Sequence, residues 1–258
     1  MMGGLYSGLD AEFYDELLDG EIDDLPLWRD LLTENPGHSL EVGCGTGRVL
    51  LPLLQEGFRI DGIDSSANMI QLLIEKALRL RLEVSAEVQA MEALELDTAY
   101  SLIYIPGFSL QMVESRELLK MALKRFHAQL QAGGKLAISL FFPWEEMEET
   151  DPSDWRLRKK VRRPDGTGLD CFQSTLIDLE KQSLIVKNRY VLLDKDRQKV
   201  SEEARDIRLL WFYPHELHLL LEESGFQLLE TYSDFEKKAM DQFTPYAVFL
   251  AEKVENKL

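Results

Sequence analysis

The stretch Leu40-Glu-Val-Gly-Cys-Gly-Thr-Gly47 limits what this chain can fold into more than any other. A short apolar run, Ser39 to Val42, reads as a buried strand that ends at Gly43, and helical spacing then runs from Arg48 to Gln55. Glycines at such a junction let the backbone turn sharply and approach a ligand, while the helix start offers unspent N–H groups. The spacing is Gly-x-Gly-x-Gly, with Glu41 two residues ahead of the first glycine. A dinucleotide fingerprint would place its third glycine at position 48, for tight helix packing beside a pyrophosphate. Arg48 stands there instead. Asp64 follows twenty-one residues after Gly43, at the tip of a second strand, Phe58 to Ile63. A carboxylate so placed accepts both ribose hydroxyls of an adenosine and repels a 2′-phosphate. Strand, glycine turn, helix, strand and Asp together specify an adenosine whose attached group is not a diphosphate. The competing reading is a glycine loop and a capping Asp that serve the fold alone.

Around this junction, strands and helices alternate. Ala11 to Leu32 has helical spacing, with Phe13, Leu17 and Leu18 on one face, and Asn35-Pro-Gly37 breaks it. Ser65 or Ser66 caps a helix through Leu80; Leu82 to Val88 and Ala99 to Ile105 are the third and fourth strands. A helix spans Arg116 to Leu130, Gly133-Gly134 stops it, and Lys135 to Phe142 is the fifth strand. Such alternation predicts an α/β fold, a mostly parallel sheet with crossover helices on both faces. The rhythm changes after Pro143. Trp155 to Arg163, Leu169 to Leu179, Leu184 to Leu193 and Ala204 to Tyr213 are strand-like with no helix between them, an antiparallel β insertion after the fifth strand. From Pro214 a helix and two last strands, Phe226 to Tyr232 and Tyr246 to Lys253, resume the first pattern. One domain, 1–258, is thus divided into an N-terminal helical cap (1–36), a cofactor-binding core (37–142), the insertion (143–205) and the remainder of the core (206–258).

Charge narrows the partners. Lys and Arg total 29 against 46 Asp and Glu, a formal net charge of −17, which disfavours phosphate backbones. Two cysteines, Cys44 and Cys171, lie far apart and in no metal-ligand spacing, so no metal site and no disulfide framework is expected. No basic stretch followed by an apolar one opens Met1 to Asp10, and runs such as Leu136 to Phe142 fall short of the roughly 18 residues of a membrane helix. A cytoplasmic protein with no membrane or nucleic-acid partner is expected.

The chain resembles the class I S-adenosylmethionine-dependent methyltransferases over nearly its whole length. Glu41 to Arg48 is similar to their first motif and Gly62-Ile-Asp-Ser-Ser-Ala-Asn-Met69 to the second. Gln89-Ala-Met-Glu-Ala93 resembles the third, with Gln89 where Asp is usual, Ile103-Tyr-Ile-Pro-Gly-Phe-Ser109 the fourth, and Leu130-Gln-Ala-Gly-Gly134 the turn before the fifth strand. The resemblance implies a Rossmann-like seven-stranded sheet, S-adenosyl-L-methionine as cofactor and S-adenosyl-L-homocysteine as product. It puts Gly43 and Gly45 against the methionine part, Asp64 on the ribose, Ala90 and Met91 beside the adenine, and Met69 near its other side. Tyr14 and Arg48 would reach the carboxylate, and Glu41, Cys44, Ser65 and Ile105 complete the implied set.

The acceptor is less legible. Methyl transfer from a sulfonium draws much of its acceleration from alignment, so a strong catalytic residue is not required, and none is assigned. The run Tyr104-Ile-Pro-Gly-Phe lacks the (N/D)PP(Y/F) pattern of nucleobase methyltransferases. Tyr104 reads equally as an acceptor contact or as core. His215 and His218 read as part of a helix start, and Met112, Met121 and Met147 as packing or surface residues. The insertion resembles that of small-molecule methyltransferases, where added strands cover the acceptor and often join two subunits, so a homodimer through it is implied. Its first strand holds six basic residues; a period of two would put Arg156, Arg158, Lys160 and Arg162 on one face, opposite Leu157 and Val161. That face is either solvated, balanced by Glu145, Glu146, Glu148 and Glu149, or recruits an anionic acceptor. Methylation of an N or O atom of a small molecule is the expected activity. An RNA or protein methyltransferase, or a cofactor-binding protein without turnover, is the alternative.

Overall fold

Three short helices, rather than one, stand where the N-terminal helical pattern runs: α1 (Leu9–Glu12), α2 (Tyr14–Leu18) and α3 (Leu25–Glu34). The break at Phe13 follows from its non-helical backbone (φ −104°, ψ 14°), and Gly20 turns in the left-handed region before Pro26 opens α3. The structure, a computed structural model, describes residues 8–148, 154–240 and 244–254. Next come β1 (His38–Val42), α4 (Leu50–Gln55), β2 (Arg59–Asp64) and α5 (Ala67–Leu80), the last capped by Ser66 Oγ accepting from Met69 N at 3.3 Å. Then follow β3 (Ser85–Val88), β4 (Tyr100–Ile105), α6 (Arg116–Gln129), β5 (Leu130–Phe141) and α7 (Trp144–Glu148). Gly133 does not end α6. The helix runs straight into β5, and the register beside β4 jumps from Tyr100↔Leu130 to Leu102↔Lys135, so the glycines form a bulge inside the strand.

The insertion is β6 (Arg156–Arg162), β7 (Gly168–Asp178), β8 (Ser183–Leu193) and β9 (Lys199–Leu210), an antiparallel sheet in chain order. β9 continues to Leu210, past residue 205. Helix α8 (Pro214–Glu223) and strands β10 (Phe226–Tyr232) and β11 (Tyr246–Lys253) complete the chain. The main sheet has seven strands in the order β10-β11-β5-β4-β1-β2-β3, parallel except where β11 pairs with β5 and β10 with β11. β4 is buried throughout, as a central strand covered on both faces must be. Its residues alternate between two cores: Leu102 and Tyr104 pack towards α3, α4 and α5, while Ile103 and Ile105 pack towards α6 and α8. No helix among the described residues is long and apolar enough to cross a membrane.

A third, smaller core joins the N-terminal helices to the insertion. Leu9, Phe13 and Leu17 pack on Val161, Leu169, Cys171 and Tyr190. The Arg163 guanidinium lies 3.7 Å from the centre of the Phe13 ring and pairs with Glu12 and Glu16. This contact holds α1 and α2 as a roof. Replacing Phe13 by Ala empties a buried aromatic site, a change that costs roughly 3–5 kcal/mol in a well-packed core. Amide exchange across Leu9–Leu18 is expected to speed at least about tenfold, with β4 and β5 unaffected, as hydrogen-exchange mass spectrometry would show.

Candidate functional site

The C-terminal ends of β1, β2 and β4 open onto a cavity of about 760 Å³. The chain leaves β1 for β2 on one side and returns to β4 on the other, and the crevice at such a reversal is where open α/β sheets bind ligands. Its floor is the glycine turn. Gly43, Gly45 and Gly47 all have left-handed φ (72°, 54° and 87°). A Cβ on Gly43 would strike Ser109 at 2.6 Å, and one on Gly47 would strike Leu73 at 2.4 Å and Leu51 at 2.7 Å. Gly47 therefore supplies the tight helix packing that the sequence pattern withholds at Arg48. Asp64 clamps the turn: Oδ2 accepts from Gly45 N at 2.9 Å and Oδ1 from Ser66 N at 2.8 Å. Burial raises its pKa, and the two backbone N–H groups partly offset that.

Buried charge gathers beneath the floor. Glu41 is 1% exposed and accepts from the Tyr104 hydroxyl at 2.6 Å. Burial pushes its pKa up to about 8, although Tyr104 and Arg48 pull it down. Arg48 donates to both oxygens of the wholly buried Asp24, at 2.5 and 2.9 Å, and Asp24 also accepts from Trp28 Nε1 at 2.8 Å. Burial opposes the charge on Arg48, but the Asp24 carboxylate prevails and the guanidinium stays firmly protonated. From the roof, the Tyr14 ring and hydroxyl lie 3.8 Å from where a Gly45 Cβ would stand. Burial raises the pKa of that hydroxyl. Asp15 ties the roof to the floor, accepting from Thr46 Oγ1 at 2.6 Å and pairing with Lys76.

Tyr14, Glu41, Gly43, Cys44, Gly45, Arg48, Asp64, Ser65, Met69, Ala90 and Met91 all line the cavity. Ile105 does not; it is fully buried in the core on the α6 side of β4. Tyr104 is core as well and touches the site only through Glu41. Met112, read above as packing or surface, is in the wall, beside Phe108, Phe141 and Tyr246. Phe108 adopts a left-handed backbone (φ 63°) and stacks on Tyr246 at 5.3 Å. Its signal in the sequence is its place in the Ile103–Ser109 run, just after the Pro106-Gly107 turn. No histidine lines the cavity among the described residues.

The other wall belongs to the insertion: Gln173 and Thr175 of β7, Leu184, Val186, Asn188 and Tyr190 of β8, and Ile207 and Leu209 of β9. The basic strand differs from its expected pattern. A bulge between Leu157 and Lys159 breaks the period of two, so Arg156, Arg158, Lys160 and Arg162 do not form one face. Arg158, the extra residue, turns to the cavity and pairs with Glu21 at 3.3 Å. Lys159 donates to the carbonyls of Leu17 and Asp19, and Arg162 pairs with Asp170. Arg158, Lys159 and Arg163 thus hold the N-terminal segment that forms the roof. Of the glutamates expected to balance the strand, Glu149 lies outside the described residues.

Comparisons with known proteins agree with this geometry. Residues 40–134 match the model of the methyltransferase domain family. A Geobacillus sp. (strain WCH70) protein named as a methyltransferase is 24% identical over 218 residues, 83% of each chain. The CcbJ methyltransferase of Streptomyces caelestis superposes with a TM-score of 0.79 at 22% identity, covering 98% of this chain and 99% of that one. The sugar N-methyltransferase KedS8 of Streptoalloteichus sp. gives 0.77 at 16% identity, covering 99% and 96%. The fold is that of Rossmann-like methyltransferases with an added antiparallel sheet. Residues 40–134 thus carry the match to the methyltransferase domain family, and the chain as a whole is similar in fold to S-adenosylmethionine-dependent methyltransferases.

The residues present fit that cofactor. Asp64 keeps acceptor capacity on both oxygens for a pair of hydroxyls, and Gly45 leaves room beneath Tyr14. A carboxylate and a guanidinium, Glu41 and Arg48, stand together at the methionine end and match the ammonium and carboxylate of an amino acid. When bound, S-adenosylmethionine supplies an electrophilic methyl group on sulfur. Asp64→Ala is expected to weaken binding by roughly 2–4 kcal/mol, from two lost hydrogen bonds to a charged acceptor. Calorimetry on the folded variant checks this, and unchanged affinity would remove the ribose assignment.

Glu41 yields a second expectation. Its pKa of about 8 leaves it mostly protonated at neutral pH, and an adjacent ammonium favours the ionised form. Binding should then release a proton, and affinity should rise by up to about tenfold per pH unit between pH 6 and 8. In the unliganded protein the same raised pKa lowers stability as pH climbs from the unfolded carboxyl value towards 8, because the native state holds the extra proton. Calorimetry in buffers of different ionisation enthalpy measures the release, which Glu41→Gln should abolish.

Proposed function

We propose that this enzyme methylates a nitrogen atom of a small amine held between the glycine turn and the insertion sheet. The observation that carries the reading is the character of the enclosure. A cavity of about 760 Å³, roofed by α1 and α2 and walled by β7, β8 and β9, falls within the 300–1,000 Å³ typical of small-molecule sites. Its wall carries seven acidic side chains, Asp10, Glu21, Glu41, Asp64, Glu92, Glu114 and Glu146, against Arg48 and Arg158; Glu41 is mostly protonated at neutral pH, Asp10 pairs with Arg205 and Glu21 with Arg158. Arg48 is committed to Asp24 and Arg158 to Glu21. Away from Arg48, which faces the methionine part of the cofactor, such a wall draws in a protonated amine and repels phosphate and carboxylate groups on an acceptor. It also suits the outcome, since positive charge passes from sulfur to the acceptor nitrogen.

The chain's residues have three tasks in this reaction. Asp64, Glu41 and Arg48 hold the methyl donor from below. The roof and the insertion exclude water and align the acceptor nitrogen with the methyl group, the main source of acceleration in such a displacement. Wall carboxylates favour the amine's entry, and its proton leaves to solvent or to one of them before attack. The basic residues do not support an RNA acceptor, because Arg156, Arg158, Lys159 and Arg162 of β6 are paired with Asp154, Glu21 and Asp170, and Arg163 beyond it with Glu12 and Glu16. Incubation with methyl-labelled cofactor and a panel of small amines, alcohols, tRNA and protein is expected to place label on nitrogen of a small amine. Label on tRNA or protein, or on oxygen alone, would overturn the proposal.

A further inference from the structure

The insertion wall carries a polar feature that neither the cofactor site nor the acidic lining uses. Along β8 the residues facing the cavity are Leu184, Val186, Asn188 and Tyr190, and β9 adds Ile207 and Leu209. Asn188, 3% exposed, interrupts this apolar surface directly opposite Gln173 of β7. Gln173 Nε2 donates to Asn188 Oδ1 at 3.2 Å. Asn188 Nδ2 reaches the Val186 carbonyl only at 3.5 Å, the far limit of a hydrogen bond. Gln173 Oε1 accepts no hydrogen bond among the described residues. A buried amide in an apolar wall is unfavourable unless its donors and acceptors are matched. The pair shares one bond, and Gln173 Oε1 and the weakly held Asn188 Nδ2 remain as acceptor and donor for a group in the cavity both residues line.

We infer that the coupled amides of Gln173 and Asn188 recognise a hydroxyl group of the acceptor and so determine its specificity. The inference rests on the proposed amine methylation. Both side chains are neutral, so they complement an uncharged group rather than the amine itself. An acceptor and a donor on residues paired across two strands match a group that both gives and takes a hydrogen bond, which is the property of an alcohol. They belong to the wall formed by the insertion, whereas Asp64 and the glycine turn belong to the floor formed by the main sheet. A hydroxyl anchored here leaves the nitrogen elsewhere on the same molecule to face the methyl group. The acceptor class is a hydroxylated amine.

The test uses the whole protein saturated with S-adenosylhomocysteine and four probes: cyclohexylamine and trans-2-, trans-3- and trans-4-aminocyclohexanol. Affinities are read by ligand-observed NMR or calorimetry. At least one aminocyclohexanol should bind ten or more times tighter than cyclohexylamine, because a site built for a hydroxyl discriminates against its absence. In Gln173→Met and Asn188→Leu that ratio should fall to within twofold, with S-adenosylhomocysteine affinity and thermal midpoint unchanged. Gln173→Met, at the less buried position, carries the test if Asn188→Leu does not fold. Equal binding of all four probes to the wild type, or an undiminished ratio in the folded variants, would overturn the role of the amides and leave the amine reading standing. If none of the four binds while S-adenosylhomocysteine does, the amine reading falls and this inference with it.

Discussion

Asp64 accepts a hydrogen bond from Gly45 N on one oxygen and from Ser66 N on the other. One carboxylate thereby couples the turn after β1 to the start of α5, across the ends of adjacent parallel strands. The glycine turn depends on it. Three successive glycines in left-handed conformations are entropically costly to order, and this clamp, with Gly43 N and Cys44 N both bonded to the Ile63 carbonyl, holds them in one shape. The concave floor needed for the cofactor then exists before anything binds. Preorganisation of that kind spares a ligand the cost of ordering the loop.

Beneath the floor, charge is buried in a way that only its own partners make tolerable. Asp24 and Arg48 form a two-bond ion pair, and removing either would strand the other in the core. Glu41 has a weaker arrangement, one bond from Tyr104 and an Arg48 that is bonded to Asp24 instead, and burial raises its pKa. The contrast gives the two residues different roles. Arg48 is a fixed charge, whereas Glu41 awaits a cation to become one. A cation placed beside Glu41 would therefore couple its own binding to ionisation of that carboxyl.

The insertion acts on the site from two sides. Its inner face walls the cavity, and its first strand and the turn after it hold the N-terminal helices through Lys159, Arg163 and the cluster around Phe13. Tyr14 of that roof lies over Gly45, so cofactor floor, roof and acceptor wall are joined in one ring of contacts. A strand rich in arginine and lysine in an acidic protein suggests an anion-binding surface. Here those cations are spent on neighbouring carboxylates, and the cavity they help to enclose is itself acidic.

How much of this was readable beforehand varies by element. The main sheet was legible because β1, β4 and β5 are continuous apolar runs punctuated by Gly and Pro, and local patterning suffices for such strands. The cofactor floor was legible for a related reason: Gly43, Gly45 and Asp64 are set by backbone geometry at strand ends, which sequence spacing records. Other features depend on contacts distant in the chain. The bulge at Arg158 reverses the side to which that strand's cations point, and nothing local marks it. Met112, Phe108 and Tyr246 enter the cavity wall from three separate segments. Gln173 and Asn188 look like ordinary polar residues of half-exposed strands until pairing of β7 with β8 sets them opposite each other over an apolar wall. Sequence alone therefore determined the class of fold and the chemistry of its cofactor, because both follow from short-range backbone demands. The acidic character of the acceptor cavity, the protonation of Glu41 and the pairing of the amides were decided by tertiary structure, because burial and electrostatic fields are set by which distant groups come together.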